Sequence, residues 1–224
     1  MNYIGSKLRL SSFLEKSISK VVGDLEDKVF CDIFAGTGIV GRRFKPLVKS
    51  VISNDIEHYS YVLNRNYIGN YEKLDYIELL DKLNNLKLVE GFIYKHYSLL
   101  GHGQRQYFSD ENAKKIDAIR GEIQEWRRSE KISENMYYFL LASLIESADK
   151  VANTASMYGA YLKKLKKSAQ KPLKLEPAYF DWVGNNHAVY NEDANKLINK
   201  IEGDILYIDP PYNQREYGSN YHLL

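Results

Sequence analysis

The chain has 224 residues, a hydrophobic fraction of 44%, a charged fraction of 27% and a formal net charge of +2. That balance is the one expected of an ordinary globular protein, long enough for one domain with a sizeable insertion or for two small domains. No apolar run approaches the roughly 18 residues of a membrane helix, and the first ten positions hold no signal-peptide core, so a cytoplasmic setting is expected. A single cysteine, Cys31, excludes an internal disulfide and a multi-cysteine zinc site; it lies in an apolar run and reads as core, and no metal site is expected.

Leu10, Phe13, Leu14, Ile18 and Val21 recur at helical spacing and predict an amphipathic helix ending near Val22. Val29 to Phe34 reads as a buried strand that enters a tight turn, Ala35-Gly36-Thr37-Gly38. A helix over Ile39 to about Phe44 follows, stopped near Pro46. Ser50 to Asn54 is a second strand, closing on Asp55, and the whole makes one βαβ unit. From Gly69 to Tyr179 helical signals dominate. Ile116, Ile119, Ile123 and Trp126 step by threes and fours, as do Leu140, Leu141, Leu144, Ile145 and Ala148. Pro172 and Pro177 then mark a linker-like exit. Alternation returns at His187 to Asn191, a third strand. A short helix over Ala194 to Ile201 leads to a fourth strand, Asp204 to Asp209, ended by Pro210-Pro211. The expected fold is therefore α/β: a Rossmann-like sheet built from residues 1–68 and 181–224, interrupted by a mainly helical insertion at 69–180.

Two of these turns carry chemistry. Glycines at the carboxyl end of a strand let a ligand approach the backbone, and the next helix offers its first amides to an anion. Asp55 stands about 20 residues beyond the glycine turn, after the next strand, where a carboxylate can accept from ribose hydroxyls. The pair points to a nucleoside-containing cofactor, and the missing third glycine of the dinucleotide fingerprint argues against NAD. The second turn is Asp209-Pro210-Pro211-Tyr212. Its two prolines remove two amide donors and fix an extended backbone, leaving carbonyl oxygens free to accept. With a carboxylate at the strand tip and an aromatic face beside it, that turn suits the gripping of a planar amino group.

The small net charge hides an uneven distribution. Lys163, Lys164, Lys166, Lys167, Lys171 and Lys174 form a basic run, with Arg127 and Arg128 a smaller cluster, and tyrosine occurs 19 times. Such a run is either a solvated face or a stripe that neutralises phosphates. Aromatics can stack on bases or simply fill cores.

In motif and order the sequence resembles the D12 class of DNA adenine-N6 methyltransferases. Asn2-Tyr3-Ile4-Gly5-Ser6-Lys7 resembles the N-terminal cofactor motif of that class, and Asp32 to Gly38 its glycine loop. Asn191-Glu192-Asp193 resembles its third acidic motif, and Asp209 to Tyr212 its catalytic motif. The helical insertion falls where the class keeps its target-recognition region. Gly103 to Phe108 and Asn153 to Lys167 are similar to segments of type II modification enzymes.

The resemblance implies an enzyme that moves a methyl group from S-adenosylmethionine to N6 of adenine in double-stranded DNA, with the target base flipped out of the helix. Tyr3, Gly5, Phe34, Gly36 and Gly38 would surround the methionine end of the cofactor, and Lys7, counted with the cofactor-binding residues, would lie near the catalytic pocket. Asp55 would hold its ribose and Asp193 its adenine amine. Asp209 and the Pro210 carbonyl would bind the target amine, with Tyr212 stacked on the base. Arg105, Arg127, Lys163, Lys164, Lys166 and Lys167 are candidates for contact with DNA. The class places further strands after its catalytic motif, and none is legible before Leu224. The sheet is thus expected to be incomplete at its C-terminal side, in a truncated sequence or in one half of an enzyme completed by a second chain. Two other readings stay open: a catalytically silent DNA-binding or assembly subunit, and an RNA or protein N-methyltransferase.

Overall fold

The computed structural model describes residues 7–155, 158–181 and 187–211. Among these, 74–178 form one compact unit, and 7–73 with 179–211 form another.

The second of these units opens with a short 3-10 turn, Leu8–Leu10, and helix α1, Ser11–Val22. Leu14 and Ile18, one helical turn apart, face inward and are half-buried, whereas Phe13 and Val21 are 65% and 86% exposed. The apolar face of α1 is narrower than the sequence pattern implied, because its packing partner is short. That partner is α2, Ile39–Phe44, which follows strand β1, Val29–Asp32. Phe44 stacks on Phe30 of β1 with ring centroids 4.2 Å apart, and both are fully buried. Strand β2, Ser50–Asn54, and helix α3, His58–Tyr67, complete this half. Sequence reading left α3 out. It buries Tyr59, Val62, Leu63 and Tyr67 together with the polar Ser60, Asn64 and Asn66, a mixture that masks the apolar period.

The helical unit holds α4 (Ile77–Asn84), α5 (Phe92–Tyr97), α6 (Asp110–Arg128) and α7 (Glu134–Val151). Ser109 and Ser133 cap α6 and α7 by accepting from the amides of Asn112 and Met136. Asp117 of α6 caps the start of α5, accepting from the amides of Gly91, Ile93 and Tyr94. Every apolar position that the sequence placed on α6 and α7 is buried. The proline-marked exit is more than a linker. Asn112 brackets it, donating to the carbonyls of Ala169 and Lys171 and accepting from the Leu173 amide. Asn84 does the same for the Leu175 backbone.

The chain then returns through β3 (Ala188–Tyr190), α8 (Ala194–Leu197) and β4 (Ile205–Tyr207). All four strands are parallel, in the order β3-β2-β1-β4. That is the order of the first four strands of a Rossmann sheet. Asn54, at the end of β2 and 1% exposed, latches three segments. Its side chain donates to the Ile33 and Glu192 carbonyls and accepts from the Glu192 amide, at 3.0–3.1 Å. No helix among the described residues is long and apolar enough to cross a membrane.

Replacing Asn54 by alanine strands these buried partners, at a cost of about 2–4 kcal/mol. The thermal midpoint should fall by about 5–15 °C in calorimetry. An unchanged midpoint would show that the latch carries no weight.

Candidate active site at the carboxyl ends of the strands

From the centre of the sheet the order runs β1, β2, β3 to one side and β4 to the other. The direction of chain progression therefore reverses between β1 and β4, and parallel α/β sheets bind ligands outside the carboxyl ends of strands at such a point. Both motifs singled out by sequence emerge there. The glycine turn follows β1 and the Asp209-Pro210-Pro211 segment follows β4, with Asp32 paired to Tyr207 in the register between them.

The glycine turn is held from three sides. Gly36 and Gly38 have φ of +53° and +74°, a region open to glycine with little strain. The Gly36 amide donates to Asp55 Oδ2 at 2.7 Å, and the Ala35 amide donates to the Asn54 carbonyl at 2.9 Å. From α3, Ser60 Oγ and Asn64 Nδ2 both donate to the Gly36 carbonyl. A Cβ on Gly38 would come within 2.6 Å of Asn64 Oδ1, so no side chain fits there.

Asp55 is the hub of this arrangement. Its second oxygen accepts from the Glu57 amide at 2.9 Å, and Asn191 donates to the carbonyls of Asp55 and Ile56, tying the end of β2 to the loop after β3. Burial pushes the Asp55 carboxyl up, while the Glu57 and Gly36 amides pull it back. Asp193 is exposed and caps α8, accepting from the Asn195 amide at 2.8 Å.

Asp32 sits beneath the turn, 1% exposed, with no hydrogen bond closed to either carboxylate oxygen. Burial raises its carboxyl to about 7, and the negative charges of Asp55 and Asp209 act in the same direction; the nearby Phe34 and Gly41 amides offset only part. Sequence reading saw Asp32 merely as the first residue of the glycine motif.

At the tip of β4, Asp209 pairs with Lys7, Oδ2 to Nζ at 2.5 Å, both partly buried. Lys7 is thus placed against the carboxylate of the proline turn. Phe34 is half-buried in the turn itself, and Pro210 is exposed. Tyr3, Gly5 and Tyr212 lie outside the described residues. Sequence reasoning missed Asn54, Ser60 and Asn64. The signal available for them was a set of small polar residues flanking Asp55, which period counting treats as loop.

The residues expected at DNA lie in the helical unit. Arg105, Lys163, Lys164 and Lys167 are exposed. Lys166 is half-buried and donates to the Thr154 carbonyl at 2.8 Å. Arg127 is engaged within the helical unit. Its guanidinium makes a two-pronged bond to Glu134, at 2.7 and 2.8 Å, and lies over the Tyr137 ring at 4.2 Å. The bond to Glu134 raises its affinity for the proton further, and with its charge matched internally it serves the turn between α6 and α7.

A Rossmann-type sheet with a glycine turn and an acid at its switch point defines a protein that handles a nucleoside-bearing ligand. Comparison with known proteins narrows this: residues 3–224 match the D12 class N6 adenine-specific DNA methyltransferases, and the chain belongs to that family. Methylation of adenine at N6 in DNA is the reaction of the class. The chain is 65% identical to the type II methyltransferase M.NlaIII of Neisseria lactamica, over all of this chain and 68% of that protein. It is 43% identical to M.CviAII of Paramecium bursaria Chlorella virus 1, again over all of this chain and 68% of the relative. It is also 43% identical to M.FokI of Planomicrobium okeanokoites, over all of this chain but 36% of the longer relative. No solved structure matches the chain.

The raised Asp32 carboxyl has a consequence for stability. Below about pH 4, near its ordinary value of 3.8, it is protonated in both folded and unfolded chains. As pH climbs toward 7, the unfolded chain ionises it and the folded chain resists, so stability is lost across that window and levels off above it. Asp32→Asn abolishes the titration. Its stability relative to the parent, from urea melts, should therefore rise between about pH 4 and 7 and stay constant beyond. A difference that does not vary with pH would contradict the burial of an uncompensated carboxyl.

Proposed function

We propose that this chain carries the cofactor pocket and the catalytic turn of an enzyme that transfers a methyl group from S-adenosylmethionine to N6 of adenine in double-stranded DNA. The observation that carries this reading is the meeting of two motifs at one switch point. The glycine turn pinned by Asp55 and the Asp209 carboxylate held by Lys7 leave neighbouring strands side by side.

The residues present fit the cofactor. Gly36 and Gly38 allow close approach to backbone, and the packing of Asn64 keeps that surface free of side chains. The Asp55 carboxylate, oriented by the Gly36 and Glu57 amides, is the acceptor placed for the ribose hydroxyls. Asp193 spends one oxygen on its helix cap and keeps the other for an adenine amine. Bound there, the cofactor supplies a methyl group made electrophilic by a positively charged sulfur.

The work left to the protein is orientation. The adenine amine is a poor nucleophile because its lone pair is delocalised into the ring. Asp209 and the Pro210 carbonyl would accept from its two N–H groups and draw the nitrogen toward a geometry with an available lone pair. Two prolines keep competing amide donors away from that corner. Lys7 fixes the rotamer of Asp209 before the base arrives, a positioning role. Holding the reactants in line can supply about 7–11 kcal/mol of the barrier. Flipping the base costs a few kcal/mol, and stacking on Tyr212 would return about 1–3 kcal/mol of it. The proton leaves through Asp209 or to solvent after the methyl group has moved.

The test is transfer of a labelled methyl group from S-adenosylmethionine to duplex DNA, followed by nucleoside analysis. Label in N6-methyladenine is expected, and Asp209→Ala should lower the rate on the order of 10²-fold or more. Cofactor affinity, measured by calorimetry, should survive that change. Label in another base, or an Asp209→Ala variant as active as the parent, would overturn the assignment.

A further inference from the structure

Two loops of the helical unit, 101–108 and the described residues of 153–166, are joined by a single buried residue. Asn153 is fully buried, and its backbone amide donates to the Tyr107 carbonyl at 2.7 Å. Its side-chain nitrogen donates to the carbonyls of Gln106 and Leu162, at 2.9 and 2.8 Å. Its side-chain oxygen accepts from the Lys166 amide at 3.0 Å, and its carbonyl accepts from the Leu162 amide. Beside it, Tyr107 donates its hydroxyl to the Tyr158 carbonyl at 2.9 Å and meets the Tyr161 ring edge-on, centroids 5.1 Å apart.

The first loop is drawn tight against the end of α5. Gly103 donates to the Lys95 carbonyl at 2.9 Å, and a Cβ on Gly101 would lie 2.7 Å from that same oxygen. A Cβ on Gly103 would meet the His96 carbonyl at 2.5 Å. Directly after this closed turn, Gln104 adopts the left-handed region at φ +49°. A residue with a side chain holds that conformation only where its surroundings overdetermine it. The result is that Gln104 and Arg105 stand together at an exposed tip. Among the described residues neither side chain has a hydrogen-bond or ion-pair partner, and exposed Tyr161, Lys163 and Lys164 lie on the adjoining loop.

We propose that this tip reads the DNA sequence: Gln104 and Arg105 contact base edges in the major groove, while Lys163 and Lys164 hold the flanking phosphates. The proposal rests on the reading of duplex DNA as substrate and adds the residues that choose the site. A glutamine amide matches the donor and acceptor pair of adenine, and an arginine fork matches the two acceptors of guanine. Both need a backbone held in place to discriminate, and the Asn153 clamp supplies it. Lysine, a point charge on a flexible stem, suits phosphate and carries no sequence information.

The experiment expresses the full chain, and its Gln104→Gly, Arg105→Ala and Lys163→Ala variants, in cells free of other adenine methylation, then maps N6-methyladenine by single-molecule sequencing. Glycine at 104 keeps the left-handed backbone and removes only the side chain. Gln104→Gly and Arg105→Ala should each relax one base-pair position, with methylation at sites mismatched there rising about tenfold or more relative to the parent. Lys163→Ala should lower methylation of all sites alike. Uniform loss in all three variants, or unchanged specificity in the first two, would overturn the proposal. If Gln104→Gly fails to accumulate, Gln104→Asn, which tolerates the same φ but is one methylene shorter, makes the same test. Absence of methylation by the parent chain would instead count against the reading of the substrate.

Discussion

The site depends on one hydrogen bond between neighbouring strand ends: the Gly36 amide donating to the Asp55 carboxylate. A glycine turn is otherwise the most easily deformed piece of backbone in the chain, because glycine loses more freedom on ordering than any other residue. Asp55 fixes it from the β2 side, and Ser60 and Asn64 fix its carbonyl from α3. The turn is thereby ordered before any ligand arrives, and a ligand binding there does not meet that cost. Asp32 beneath it shows the other side of the design, a buried carboxyl for which the nearby Phe34 and Gly41 amides offset only part of the cost of burial. Such a group weakens the fold, and buried titratable groups of this kind gather at functional sites.

Asparagine is the recurrent tool in both units. Asn54 joins β1, β2 and the loop after β3; Asn84 and Asn112 bracket the extended strap that leaves the helical unit; Asn153 joins two surface loops. In each case a short amide satisfies a backbone donor and a backbone acceptor in a segment that has no strand or helix partner of its own. Irregular backbone can then be buried without orphaned groups. This is how a helical unit can display loops that are both irregular and fixed.

Much of the sheet was legible in the sequence. Val29–Asp32, Ile39–Phe44 and Ser50–Asn54 fall where apolar runs and turn residues put them, and α6 and α7 bury the apolar positions that their period marks. What escaped was structure carried by polar side chains. The face of α3 that pins the glycine turn is made of Ser60 and Asn64, which count as loop formers until their buried partners are known. The same applies to Asn153, whose importance lies in backbone groups remote in sequence. Charge alone also hides partners: Arg127, a basic residue in the sequence pattern, is paired with Glu134 one helix later. For Lys7 the resemblance gave only a neighbourhood, the catalytic pocket; its ion pair with Asp209 depends on the packing of β4 against β1, which no local pattern encodes.

The direct test is a crystal structure of the protein with the reaction product S-adenosylhomocysteine. The ribose should lie on Asp55, the amino-acid end against Gly36 and Gly38, and the sulfur should face Asp209. Density for the ligand elsewhere, such as in the cleft lined by Arg42, Lys45 and Tyr179, would contradict a single site at the switch point.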